Sequence, residues 1–306
     1  MTSEQETIQE TETAGDATKS STELAEKAGA TSGNDAPREH VDGSVSEHVS
    51  AELSDRRDQL IKEAVDALAE TKVAIEALRG GNKQDAIDAL ARVTGKLETV
   101  VAREPDLAMA PVAADYRIVD LIATPETVRD IGILIEHHVR RGDFQIARSL
   151  MRDFASEIVI ELRALPLKTY PDAILEATRL IDEGKTEAAT TILNTALSTV
   201  AVVETVVPLP TVRAKAMISK AKALQAGEAS DADGKPSLDD YIEGARVELE
   251  IAEALGYGRK KDFKDLHNAI ADLKKSLKDR KEAAGIFSKI ADHFEDLKAR
   301  LFDASR

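Results

Sequence analysis

The chain has 306 residues, enough for one large core or two modest ones, and carries no cysteine, no tryptophan, only 3% aromatics and a formal net charge of −15. This composition excludes disulfides, thiolate metal sites and thiol nucleophiles, and it argues against aromatic platforms that stack bases or sugars. Residues 1–54 hold twelve Asp/Glu against three Lys/Arg; the other 252 residues hold 44 acidic and 38 basic groups, so they present no basic footprint and nucleic acid is not an expected partner.

Residues 1–54 are rich in Glu, Thr, Ser, Gly and Asp with isolated apolar positions, a composition that predicts a disordered acidic tail. The start, M-T-S-E-Q-E-T-I-Q-E, has neither the basic nor the apolar region of a secretory signal, and no run approaches 18 apolar residues. A cytoplasmic protein without a membrane span is the resulting expectation.

From Asp55 the texture becomes helical, with Leu60, Ala64, Leu68, Val73, Ile75 and Leu78 at roughly helical spacing up to Gly80-Gly81. The next helix is expected to start near Asn82, a candidate N-cap, and to carry Ala86, Leu90, Val93 and Leu97 on one face. The glycine–alanine skeleton at Gly81/Ala86 recurs at Gly142/Ala147 and Gly184/Ala189. Each copy predicts a left-handed glycine that closes one helix, with the alanine where the next helix packs closely against it. The stripes are expected to continue through Met151, Phe154 and Ile158 in the second copy and through Leu193, Ala196 and Val200 in the third. The glycines are 61 and 42 residues apart, so the spacing fits no fixed solenoid period.

Thr124-Pro125-Glu126 reads as N-cap, first helical position and first-turn acid, and Tyr170-Pro171-Asp172 reads similarly. Pro208-Leu209-Pro210 precedes a helix over about 211–224. The segment 115–122 is ambiguous between a short strand and a helical turn. A linker over 226–236 then leads to Ser237, whose Ser-Leu-Asp-Asp pattern predicts a capping box, and to C-terminal helices expected to pack around the core over 237–306. The fold class is therefore all-α, with a short strand near 115–122 left open, in an irregular bundle of antiparallel helical hairpins whose core spans 55–225.

No catalytic constellation is signalled. His137 and His138 point about 100° apart on a helix and do not chelate one ion, and His138 continues the stripe of Val128, Ile131 and Ile135. No serine sits in a nucleophile elbow and no glycine-rich loop forms a phosphate cradle. The chain reads as a non-enzyme without cofactor or metal. Its apolar helical surface suits either an oligomer interface or a groove for exposed apolar segments of other proteins.

Three stretches, A-L-A-R-V-T-G-K-L-E-T-V-V-A-R-E-P at Ala89–Pro105, A-S-E-I-V-I-E-L-R-A-L-P-L-K-T-Y-P-D-A-I at Ala155–Ile174 and V-V-P-L-P-T-V-R-A-K-A at Val206–Ala216, resemble the YfdX family of bacterial proteins. The resemblance covers about Ile61 to Leu224. It implies a mainly helical, self-associating protein linked to stress responses, with chaperone-like behaviour and no established catalytic residue. Relatives are often exported, which the acidic start of this chain does not match. The positions carried over are Leu165, Pro166, Leu167, Tyr170, Pro171, Pro208, Leu209 and Pro210, which also read as helix entry turns. Two functions follow as expectations: chaperone-like binding of exposed apolar protein segments, or a homo-oligomeric scaffold that uses the acidic tail as a contact arm.

Overall fold

The computed structural model describes residues 35–228, 235–279 and 283–302. In chain order the elements are α1 (Asp35–Asp58), α2 (Lys62–Arg79), α3 (Lys83–Arg103), β1 (Met109–Val119), α4 (Pro125–Arg141), α5 (Phe144–Met151), β2 (Glu157–Pro166), α6 (Tyr170–Asp182), α7 (Thr186–Ser198), β3 (Ala201–Pro208), α8 (Leu209–Ala226), α9 (Leu238–Ala254), α10 (Lys260–Lys278) and α11 (Ala284–Phe302). The protein is mostly helical with one small sheet, and the strand order β1-β2-β3 leaves β1 and β3 at its edges.

A helix–glycine–helix–strand pattern repeats three times between residues 62 and 208. Gly81, Gly142 and Gly184 have φ of +79°, +81° and +77°, a region costly for any side chain, which is why glycine recurs there. The residue after each glycine donates its amide back across the turn: Asn82 to Ala77 O, Asp143 to His138 O and Lys185 to Leu180 O, at 2.9, 2.9 and 2.8 Å. The three alanines that follow, Ala86, Ala147 and Ala189, are all buried, as close helix packing requires. Asn82 occupies the N-cap position of α3, but its side chain makes no capping hydrogen bond. Thr124 accepts from the Thr127 amide with Pro125 at the first helical positions, and Ser237 and Asp240 form the expected capping box.

The second and third apolar stripes do not stay helical. Helix α5 stops at Met151, so Ile158 lies on β2; α7 stops at Ser198, before Val200. Residues 157–166 and 201–208 are E-I-V-I-E-L-R-A-L-P and A-V-V-E-T-V-V-P, whose β-branched content favours extended backbone over a further helical turn. The segment 115–122, left open between a short strand and a helical turn, falls on the end of β1, which runs over 109–119.

The chain divides into two compact units built from interleaved segments. One comprises residues 49–117 and 159–205. Its core stacks the α2–α3 and α6–α7 hairpins through Leu90, Val93, Leu97, Ile174, Ile181 and Leu193, with buried alanines at the closest approaches. The other, among the described residues, comprises 35–48, 118–158 and the described part of 206–302. There α8 to α11 form a second core around Met217, Ile242, Leu249, Phe263, Phe287 and Ile290. The C-terminal helices thus carry a centre of their own, where packing around the first core had been expected.

The segment 35–54, expected in the disordered tail, is the greater part of α1. Its Val41, Val45, Val49 and Leu53 fall four residues apart and are all buried, so a single apolar stripe overrides a polar average composition. The remainder of that expected tail, residues 1–34, lies outside the described residues.

Candidate functional site

The family-like positions are structural in two different places. Leu165, Leu167 and Tyr170 are brought together in the core of the first unit, with Pro166 closing β2 and Pro171 in the first turn of α6. The Tyr170 hydroxyl donates to Thr71 Oγ1 at 2.9 Å, and Thr71 in turn donates to Ala67 O at 2.8 Å. Burial pushes the Tyr170 phenol up to about 12, the hydrogen bond to Thr71 opposing it. In the second unit Pro208, Leu209 and Pro210 are buried at the entry of α8, where the Thr211 hydroxyl donates to Pro208 O at 2.8 Å and the Leu209 amide donates to Ser156 O at 3.0 Å. These residues fix helix entry angles and expose no reactive group.

His138 is buried, as its place on the stripe suggested, and its Nδ1 lies 3.3 Å from Asp143 Oδ2 beyond the glycine elbow. His137 is exposed, so the adjacent pair does not converge on one site. Among the described residues no group of three or more His, Cys, Asp and Glu could hold a metal ion. No described helix is long and apolar enough to cross a membrane.

A buried charge network in the second unit escaped the sequence reading. The Arg38 Nε donates to Glu248 Oε1, both side chains being shielded from solvent. Arg213 grips Asp120 with two parallel hydrogen bonds of 3.0 and 2.7 Å, and the Ser156 hydroxyl donates to the same carboxylate at 2.8 Å. The Tyr257 hydroxyl accepts from the Ser156 amide and donates to Glu157, each at 2.9 Å. Burial alone would raise the Asp120 carboxyl, but the Arg213 guanidinium and the Ser156 hydroxyl outweigh it and hold the group below the usual carboxylate range. Burial wins at Glu248, which is raised although Arg38 and Arg213 pull the other way. Ser156 is only 1% exposed, and its hydroxyl is enclosed in this network by its donation to Asp120.

Apolar side chains left in solvent concentrate on the α4–α5 hairpin. Ile133 and Phe144 are 65% and 64% exposed, and Val139, Ile146 and Met151 are also open, while the only buried residue of α5 is Ala147. The hairpin is strongly amphipathic, and these apolar positions are uncovered. Strand β3, at the edge of the sheet, likewise exposes Val202 and Val203.

The described residues define a mainly helical protein with one small sheet and an apolar surface on the α4–α5 hairpin. Its residues 67–206, a little under half of the chain, match the family model described as YfdX protein. A solved structure of Salmonella Typhi YfdX is similar at 15% identity, covering 49% of this chain and 93% of that chain with a TM-score of 0.34. No curated protein matches the chain.

Proposed function

We propose that the protein is a non-enzymatic, stress-associated binding protein that shields exposed apolar segments of other proteins in a chaperone-like manner. The observation that carries this reading is the α4–α5 hairpin, where Ile133, midway along α4, and Phe144, at the start of α5, stand in solvent on two amphipathic helices. Solvent-exposed large side chains on a preformed helix face gain roughly 25 cal/mol per Å² of apolar area when covered, and a client segment supplies that cover. The stress association rests on the family resemblance.

The test is aggregation of an unrelated heat-labile client with near-stoichiometric amounts of the protein and no nucleotide. Wild type is expected to suppress light scattering, and an I133D/F144D variant, with an unchanged far-UV circular dichroism spectrum, is expected to lose that effect. Absence of protection by wild type, or equal protection by the variant, overturns the reading.

The second reading is a self-associating scaffold with the acidic N-terminal segment as a contact arm, favoured by the open valines on edge strand β3. It requires a defined oligomer mass in sedimentation equilibrium that Val203→Lys reduces to the monomer.

A further inference from the structure

The second unit contains a groove of about 1400 Å³ between α9 and α10, bordered by Arg129 of α4. Ile242, Ala254, Ile270 and Ala271 give it an apolar floor. Its walls carry eight Lys/Arg side chains against three glutamates. Arg129, Arg246 and Lys274 are engaged with Glu243 and Glu250. Lys260, Lys261, Lys264, Lys275 and Lys278 are exposed along α10 and make no ion pair among the described residues. The same helix carries Asp262, Asp265 and Asp272, but none of these carboxylates lines the groove, where the lysines outnumber the acids.

A second depression of about 650 Å³ shares Glu243, Arg246 and Glu250 with this groove and is bounded by Ala36 and Pro37 at the start of α1. The start of α1 therefore borders a depression that adjoins the basic groove. Residues 1–34 hold seven carboxylates against Lys19 and Lys27, and place Leu24, Ala25 and Ala28 around Glu23 and Glu26. Charge, apolar content and point of attachment all match the groove.

We propose that residues 1–34 dock in the α9–α10 groove of their own chain, setting carboxylates against the α10 lysines and Leu24, Ala25 and Ala28 on the apolar floor. This surface is separate from the α4–α5 hairpin and does not rest on the client-binding reading. Helix α10 is about 28 Å long at 1.5 Å per residue, and a few residues of extended chain span each ten ångströms, so 34 residues reach its far end with ample slack. Tethering holds the segment at an effective concentration of order millimolar, so even a weak contact is well occupied.

Zero-length carbodiimide coupling of the full chain, read by mass spectrometry on an equal mixture of 15N-labelled and unlabelled protein, tests the proposal. Carboxylates of residues 1–34 are expected to couple to Lys260, Lys261, Lys264 and Lys275 about tenfold more often than to the exposed Lys222 and Lys289, within one isotopic chain. The preference is expected to vanish in K260E/K264E/K275E, a variant confined to exposed positions, and to fall in about 1 M salt, where the screening length is about 3 Å. Even coupling over all exposed lysines overturns the proposal, and so does coupling found chiefly between differently labelled chains, which would place the segment in a second copy. A preference that survives charge reversal of the three lysines overturns it as well.

Discussion

The Arg38–Glu248 pair offers the most demanding test of how α1 is held. Glu248 has no exposed surface and Arg38 is 6% exposed, so each charge has given up its water for the other. Removing one partner strands the other in a poorly solvated site, at a cost of about 3–5 kcal/mol, whereas replacing both with apolar side chains of similar volume is close to neutral. Arg38→Met and Glu248→Leu should each destabilise by that amount, and R38M/E248L should recover to within about 1–2 kcal/mol of wild type. Arg213 keeps its bidentate partner Asp120 in all three variants, but its pull on Glu248 is lost with that carboxylate and counts within the cost of the Glu248 single variant. Urea unfolding followed by circular dichroism would read the singles as midpoint losses of at least about 1 M for a slope near 3 kcal/mol/M. Amide exchange should show the same order at Val41, Val45 and Val49 of α1, the helix that Arg38 anchors. Singles costing less than about 1 kcal/mol, or a double variant losing the sum of the two, would refute a buried and mutually dependent pair.

Tyr170→Phe removes the donation to Thr71 and should cost about 1 kcal/mol at neutral pH. Because the folded phenol titrates near 12 against an ordinary 10, wild-type stability is complete below pH 10 and declines as the pH rises through 12, a decline the Phe variant should lack in chemical denaturation at pH 9.5–12. Asp120→Asn should cost about 2–3 kcal/mol at pH 7 through the loss of a charge-assisted double hydrogen bond. The Asp120 carboxyl is held low, so its contribution is present above its ordinary value of 3.8 and is lost as the pH falls below it; the gap between variant and wild type should therefore narrow in acid unfolding curves. Gly142→Ala should destabilise by about 1–2 kcal/mol from its left-handed backbone alone, since open space surrounds the site, whereas Gly95→Ala in the exposed interior of α3 should stabilise by up to about 1 kcal/mol in the same thermal melts.

The helical elbows were legible because their cause is local. A glycine required by backbone chirality leaves its mark in the sequence wherever the turn occurs, and Gly81, Gly142 and Gly184 all carry it. Ile158 and Val200 show where periodicity misleads: both sit at helical offsets from an alanine, yet β-branched neighbours and a small sheet claim the chain after α5 and α7. The valines of α1 were spaced for a helix but diluted in polar residues, so composition hid them until their burial was seen. Arg38 and Glu248 stand 210 residues apart and each looks like an ordinary surface charge, so no local signal could join them. The exposed Ile133 and Phe144 were equally invisible, because an amphipathic helix reads the same whether or not its apolar side is covered.

The interleaving of the two units sets a timetable for synthesis. The unit made from residues 49–117 and 159–205 has all its parts once position 205 has emerged, but the other begins, among the described residues, with 35–48 and cannot close its core until the described part of 206–302 follows. Arg38 therefore waits for Glu248 while 210 further residues are translated, about 10–40 s at 5–20 residues per second. Throughout that interval Val41 of α1 has no α8–α11 core to enter, and the nascent chain is most open to misfolding or to capture by other proteins.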